Sequence, residues 1–163
     1  MPPGEPKAPK EPKAPGNPRR GTSGSAPVDW DRRREGITIE AEAYELFRRG
    51  TALLADHHAH QAATVLERVT TMEPERGSVR EALGRAYYDS GRPEAAREQF
   101  TKALELDPAN DYAHFCLALC LLRAGEVDLA IGHLRLALAM RPEVDDYQRA
   151  LLRAERMRPV DRD

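Results

Sequence analysis

The side chains best suited to hold a transition metal are His57, His58 and His60 with Asp56 beside them, since imidazole and carboxylate are ordinary ligands for zinc, copper or nickel. They fall in a turn between two apolar-periodic runs, where no helix or strand fixes their spacing. The expectation there is a solvated turn, with no metal site and no cofactor. Cys116 and Cys120 are too few to make a disulfide framework or to close a zinc site by themselves. The sequence has no Gly-rich phosphate loop, no Ser or Cys nucleophile with an assignable base, and no carboxylate pair in an apolar setting. No residue is therefore expected to be catalytic, and a small-molecule substrate is not expected either.

Charge gives little direction. Charged residues are 32% of the chain but sum to −2, so no overall field favours nucleic acid or an anionic membrane. Up to Glu35 there are eight Lys/Arg against five Asp/Glu, a bias too small for a nucleic-acid arm. Arg19-Arg20, Arg32-Arg33-Arg34 and the C-terminal arginines leave weak nucleic-acid binding as the lowest-ranked reading. No run approaches the roughly 20 apolar residues that span a bilayer, and no secretory leader precedes the body, which points to the cytoplasm.

The elements that position these residues begin well inside the chain. Residues 1–27 hold eight of the thirteen prolines and no Leu, Ile, Phe, Tyr or Trp, so they cannot offset the entropy of ordering. Glu5-Pro6-Lys7-Ala8-Pro9 recurs as Glu11-Pro12-Lys13-Ala14-Pro15, a polyproline-prone tether or a ligand for a proline-reading domain. Residues 28–38 read as a charged junction in which Trp30 could cover the first helix, so residues 1–38 are expected to be tail and junction.

From Ile39 onward apolar residues recur at three- and four-residue steps, and nothing alternates like a strand. Pro74, Pro108 and Pro142 lie 34 residues apart. Gly50, Gly84 and Ala118 share that interval, as do Ala62, Ala96 and Ala130, and Leu66, Phe100 and Leu134. Each unit reads as two helices whose small residues, Gly50 with Ala62 and Gly84 with Ala96, allow a close crossing.

Leu83-Gly84, Tyr87, Gly91, Ala96, Phe100, Ala103 and Pro108 follow one another in an order that resembles the tetratricopeptide repeat. The third unit follows with Leu117-Ala118, Leu121, Gly125, Ala130, Leu134, Ala137 and Pro142, and the first with Gly50, Leu53, Ala62, Leu66, Val69 and Pro74. Departures are Leu46, Arg80 and His114 where the family opens each unit with a large aromatic, and Arg49 in place of a Leu. The resemblance implies an all-α fold, a right-handed superhelical stack of antiparallel helix pairs, with repeats at about 43–76, 77–110 and 111–144. Residues 145–157 place Tyr147, Ala150, Leu151 and Ala154 on one stripe and read as a cap, giving six helices plus that cap within a domain at 39–157, before a flexible end at 158–163. Cys120 aligns with Ala86 and Ala52, a slot for small buried side chains.

In related proteins the first helix of each unit forms a concave wall that holds extended peptides or helices. Leu117, Ala118 and Leu121 form one stripe on the helix from Asp111, and Tyr112, Phe115, Leu119 and Leu122 form a second, turned by about a third of a turn. The second should face the groove. Its 34-residue counterparts are Tyr44, Phe47, Thr51 and Leu54 in the first unit and Ser78, Glu81, Arg85 and Tyr88 in the middle one. Arg123, Arg149, Arg153 and Arg156 project to the same side and offer donors to carboxylates. The expected partner is a protein or peptide with apolar anchors and acidic flanks. Homodimerisation through the same aromatics stays open, and in either case Tyr112 and Phe115 are expected to be replaceable by Ser without loss of stability. Chaperone-tail-binding members of the family use a lysine and asparagine clamp on this wall, where this chain has Phe47 and Thr51.

Overall fold

The computed structural model describes residues 30–158, with side chains from Thr38 onward. The expected disordered tail, its P-x-x-P repeat and the last five residues lie outside the described residues. Seven helices are described: α1 (Trp30–Ala55), α2 (Ala59–Met72), α3 (Gly77–Asp89), α4 (Pro93–Leu106), α5 (Asp111–Arg123), α6 (Val127–Met140) and α7 (Asp145–Met157). Successive helices pack on one another, and α1 also meets α3 as α3 meets α5, which gives a stack of helix pairs with the odd-numbered helices side by side. Gly77, Asp111 and Asp145 open α3, α5 and α7 at the repeat interval.

One boundary differs from expectation. Helix α1 starts at Trp30, so most of the stretch read as a charged junction is helical. The prolines stop at Pro27, and Arg32-Arg33-Arg34-Glu35 are good helix formers, so a helix nucleated further along extends back through them at the cost of about 1 kcal/mol for Gly36.

The core runs along the whole stack. Leu66, Leu83, Phe100 and Leu134 are its largest fully buried members, joined by the alanines of the 34-residue columns: Ala62, Ala96, Ala130, Ala103 and Ala137 are fully buried too. Small residues at these crossings let the helices approach closely, and large residues one turn away fill the space between pairs. Polar ties link successive units. The Tyr87 hydroxyl donates to Glu67 Oε1 (2.7 Å), and burial together with that carboxylate pushes the phenol up to about 12. Arg97 Nη2 donates to Glu126 Oε2 (3.3 Å).

The turns between paired helices repeat as well. Gly91 and Gly125 adopt φ +78°, left-handed backbone that glycine reaches without a Cβ penalty, and a Cβ at either would meet nothing within 4 Å. At the same register the first unit has His57, with φ 60°. A side chain held there costs about 1–2 kcal/mol, whereas glycine costs about 0.5–1 kcal/mol in unfolded-state entropy. His57→Gly is therefore expected to raise stability by about 0.5–1 kcal/mol, read as a later urea midpoint with unchanged slope. A lower midpoint would mean that the imidazole makes a compensating contact.

Candidate groove at the C-terminal end of the stack

The two stripes on α5 separate as their register requires. Leu117, Ala118 and Leu121 are buried, while Tyr112, Phe115, Leu119 and Leu122 are half-buried on the side shared with α3 and α7. There Tyr88, Phe115, Leu119, Leu122 and Arg123 meet Asp146, Arg149, Ala150, Arg153 and Met157 around an open groove of about 490 Å³. Seven of the residues expected on the wall are thus brought together. Asp146, Ala150 and Met157 complete the lining, and their signal was the i, i+4, i+7 and i+11 spacing of Asp146, Ala150, Arg153 and Met157 along α7.

The aromatic floor is held from within the chain. Phe115 stacks on Tyr147 with ring centroids 4.9 Å apart, and Tyr147, itself buried, donates its hydroxyl to Asp111 Oδ2 (2.7 Å). Burial and that carboxylate raise the Tyr147 phenol above its ordinary range. Tyr112 tilts against Phe115 at 6.4 Å, and burial raises its phenol too. Phe115 therefore ties α5 to α7 as well as facing the groove, and Tyr112 packs half-buried against the core beside it, so replacing both with Ser is expected to cost stability, where helical register alone predicts no loss. Above the floor the Arg123 guanidinium lies 4.2 Å over the Tyr88 ring. Arg149 is ion-paired with Asp146, and Arg153 is exposed with no ion pair among the described residues.

The first repeat does not extend this groove. Leu54 is only 4% exposed, because α2 and α3 close around the last turn of α1 and place it in the core with Ala63 and Ala86. The Phe47 ring lies under the Arg76 guanidinium at 4.8 Å. Thr51 spends its hydroxyl on the Phe47 and Arg48 carbonyls of its own helix. Tyr44 is exposed and apart. Glu81 accepts from Asn110 Nδ2 (2.8 Å), the residue whose Oδ1 caps α5 through the Ala113 N–H. Arg85 and Tyr112 share a smaller hollow with Tyr88, Phe115 and Leu119 at the edge of the groove, and with Asp89 and His57 they line a more polar one beside it. Arg156 is exposed in the last turn of α7 and does not line the groove.

Other groups also fall into place. Burial pushes the Cys116 thiol up to about 12 and Cys120 to about 11, so both remain protonated and unreactive at neutral pH. His57, His58 and His60 are exposed, and among the described residues no three His, Cys, Asp or Glu side chains converge as a metal site would need. No described helix is long and apolar enough to cross a membrane.

The departures at the opening of the second and third units, Arg80 and His114, form a lock that periodicity alone does not reveal. Arg80 donates to the Pro74 carbonyl from Nε and Nη2 (both 3.1 Å) and to Gln99 Oε1 from Nη1 (3.1 Å). One repeat later His114 Nε2 meets the Pro108 carbonyl at 3.0 Å, and its Nδ1 meets His133 Nδ1 at 2.9 Å. Because a carbonyl only accepts, Nε2 of His114 carries the hydrogen, its Nδ1 offers a lone pair, and His133 donates from Nδ1. Pro74/Pro108, Arg80/His114 and Gln99/His133 are all 34-residue pairs, which was the available signal. Burial, and then the neighbouring His114, lower the pKa of His133. The folded chain thus holds fewer protons on His133 than the unfolded chain once the pH drops below the ordinary imidazole value of about 6.5. Stability should be complete above that pH and fall below it, levelling off beneath the folded-state value. Urea unfolding at pH 7.5 and 5.5 measures this, and His133→Gln should reduce the acid sensitivity.

A tetratricopeptide-repeat model matches residues 47–111 and again 81–145, together more than half of the chain. The chain belongs to the tetratricopeptide-repeat family. No curated protein sequence matches it. Its fold is similar to the first tetratricopeptide domain of Spaghetti (RPAP3) bound to an HSP90 peptide, with a TM-score of 0.68 at 13% identity over 71% of this chain and 92% of that one. It is also similar to the Sgt2 domain from Aspergillus fumigatus (0.66, 20% identity, 75% and 87% covered). A third is the Yersinia enterocolitica type III secretion chaperone SycD in complex with a peptide of the translocator YopD (0.60, 18%, 70% and 87%). At these identities the likeness is one of fold.

Proposed function

We propose that this chain is a non-catalytic adaptor that holds a peptide or helix of a partner protein in the concave groove at its C-terminal end, over α3, α5 and α7. The observation that carries the proposal is the composition of that groove. Phe115, Leu119, Leu122 and Ala150 make an apolar floor, and Arg123, Arg149 and Arg153 make a cationic rim in which Arg153 has no ion pair among the described residues. Such a site suits apolar anchors followed by acidic residues, since guanidinium forks pair with carboxylates and the floor buries side chains. Structures of the same fold carry peptides of HSP90 and of YopD, which supports peptide capture as the mode. It does not carry over their ligands: with Phe47 beneath Arg76 and Thr51 bonded to its own helix, a chaperone-tail clamp has no counterpart at those positions.

The test is an arrayed set of amphipathic peptides, acidic and basic, titrated against the full chain and against Arg149→Glu/Arg153→Glu. Both positions are exposed, so folding should be unchanged. Acidic peptides should bind the parent and lose about 10-fold or more in affinity on charge reversal, at about 1.4 kcal/mol per factor of ten. Equal binding of acidic and basic peptides, or no effect of the reversal, would remove the rim from the proposal. A light-scattering mass of twice the chain that the reversal halves would instead favour self-association through the groove.

A further inference from the structure

We infer that the outer face of α6 docks on the same face of a second copy of the chain, the two α6 helices crossing antiparallel at Gly132. Leu129, Leu136 and Met140 are 56%, 47% and 37% exposed, and Gly132 and Ala139 lie open between them. Their spacing puts all five on one side of the helix. Exposed leucines scattered singly are ordinary, whereas a continuous apolar stripe marks an interface. The other units provide the comparison. The columns of Leu129, Gly132, Leu136 and Ala139 hold Gln61, Thr64, Arg68 and Thr71 in α2. In α4 they hold Ala95, Glu98, Lys102 and Glu105, with Lys102 ion-paired to Glu98 at 2.6 Å. The repeat therefore folds without leucine at these places, and α6 has it twice.

The face fits its own copy because its features are self-complementary about one point. On the flank toward α7 lie Asp128 and Arg135, paired with Arg158 (2.7 Å) and Glu155 (3.0 Å) of that helix end. On the flank toward α4 lie Leu129 and Leu136, with Leu129 at the mouth of a hollow of about 390 Å³ that Leu104, Leu117 and Leu121 also line. A two-fold axis at Gly132 sets the residue four before it beside the residue three after it in the second copy, within about one helical rise of 1.5 Å. Asp128 then meets the second copy's Arg135, and charge alternates in sign from Arg158 through Asp128 to Arg135 and Glu155 of that copy. In the same way Leu129 meets the second copy's Leu136, which has the hollow to enter. Both contacts occur twice, and glycine at the crossing lets the backbones approach closely. One helix face is smaller than the about 800 Å² per partner of a standard interface, so the dimer should be weak, with a dissociation constant on the order of 10–100 µM.

The test is the mass of the full chain by sedimentation and light scattering, followed from dilute solution to well above that dissociation constant. The mass should climb from one chain to two. Leu129→Gln/Leu136→Lys, which writes the residues of α2 and α4 onto α6, should raise the dissociation constant at least about 10-fold. Gly132→Gln should do the same by size alone. A Cβ there meets nothing within 4 Å in the single chain, and glutamine is the better helix former, so folding is not harmed. Arg149→Glu/Arg153→Glu, which alters the groove on the other side of the stack, should leave the mass unchanged, so this contact and peptide capture are read separately. A mass of one chain throughout, a dimer that survives either α6 variant, or a dimer lost on reversal of the groove arginines would overturn the inference.

Discussion

Gly84→Leu is expected to destabilise the fold by about 3 kcal/mol and lower the melting temperature by about 10 °C. A Cβ at Gly84 would stand 2.9 Å from two ring carbons of Phe100 and 3.1 Å from a third. Phe100 is 1% exposed, so its ring has nowhere to retreat without prising α3 from α4. Leucine gains about 1 kcal/mol of helix propensity over glycine, and the figure given is net of that. Gly132 supplies the control within the same molecule. It lies inside α6 with nothing within 4 Å of its would-be Cβ, so Gly132→Ala should stabilise by up to about 1 kcal/mol. Opposite signs for the two substitutions test the crossing directly. A tolerated Gly84→Leu would mean that the pair does not cross there.

The same columns explain what the sequence made legible. A 34-residue interval recurring at Gly, Ala, Leu/Phe and Pro fixes where α3, α5 and α7 begin, because each column records one contact that every unit must make. Upstream of Tyr44 the columns end, so only propensity speaks for the first turns of α1, and a run of arginines next to a Pro-rich segment carries no helical signal of its own. On the wall, Phe115, Leu119 and Leu122 were legible because helical register alone turns them away from Leu117 and Leu121. Phe47 and Leu54 share that register, yet what covers them comes from elsewhere in the chain: Arg76 from the turn after α2 for Phe47, and the closure of α2 and α3 for Leu54. Coverage of this kind is a tertiary fact that no periodicity contains. The Arg80 and His114 departures were visible as anomalies, but their meaning depends on Gln99 and His133, 19 residues away on a different helix.

Tyr147→Ala should have the other large effect, and it should be local. Tyr147 is 5% exposed, stacks on Phe115 and donates to Asp111, so one side chain fastens α7 to α5 by burial, ring contact and a charge-assisted hydrogen bond. Removing a buried aromatic ring costs about 3–5 kcal/mol. Because α7 is the last described helix of a stack in which each element leans on its neighbours, the cost should appear as loss of amide protection through α7 while α1–α6 stay closed. Tyr147→Phe keeps the ring and removes only the hydroxyl, and should cost about 1 kcal/mol. The functional consequence follows from what α7 carries. Arg149 and Arg153 are two of the three arginines of the cationic rim, and Ala150 part of the floor, so an undocked cap should abolish peptide capture even though the α3 and α5 side chains remain in place. Tyr147→Ala with full protection in α7 would show that the cap is anchored elsewhere. Undocking with undiminished capture would place the partner on another part of the wall.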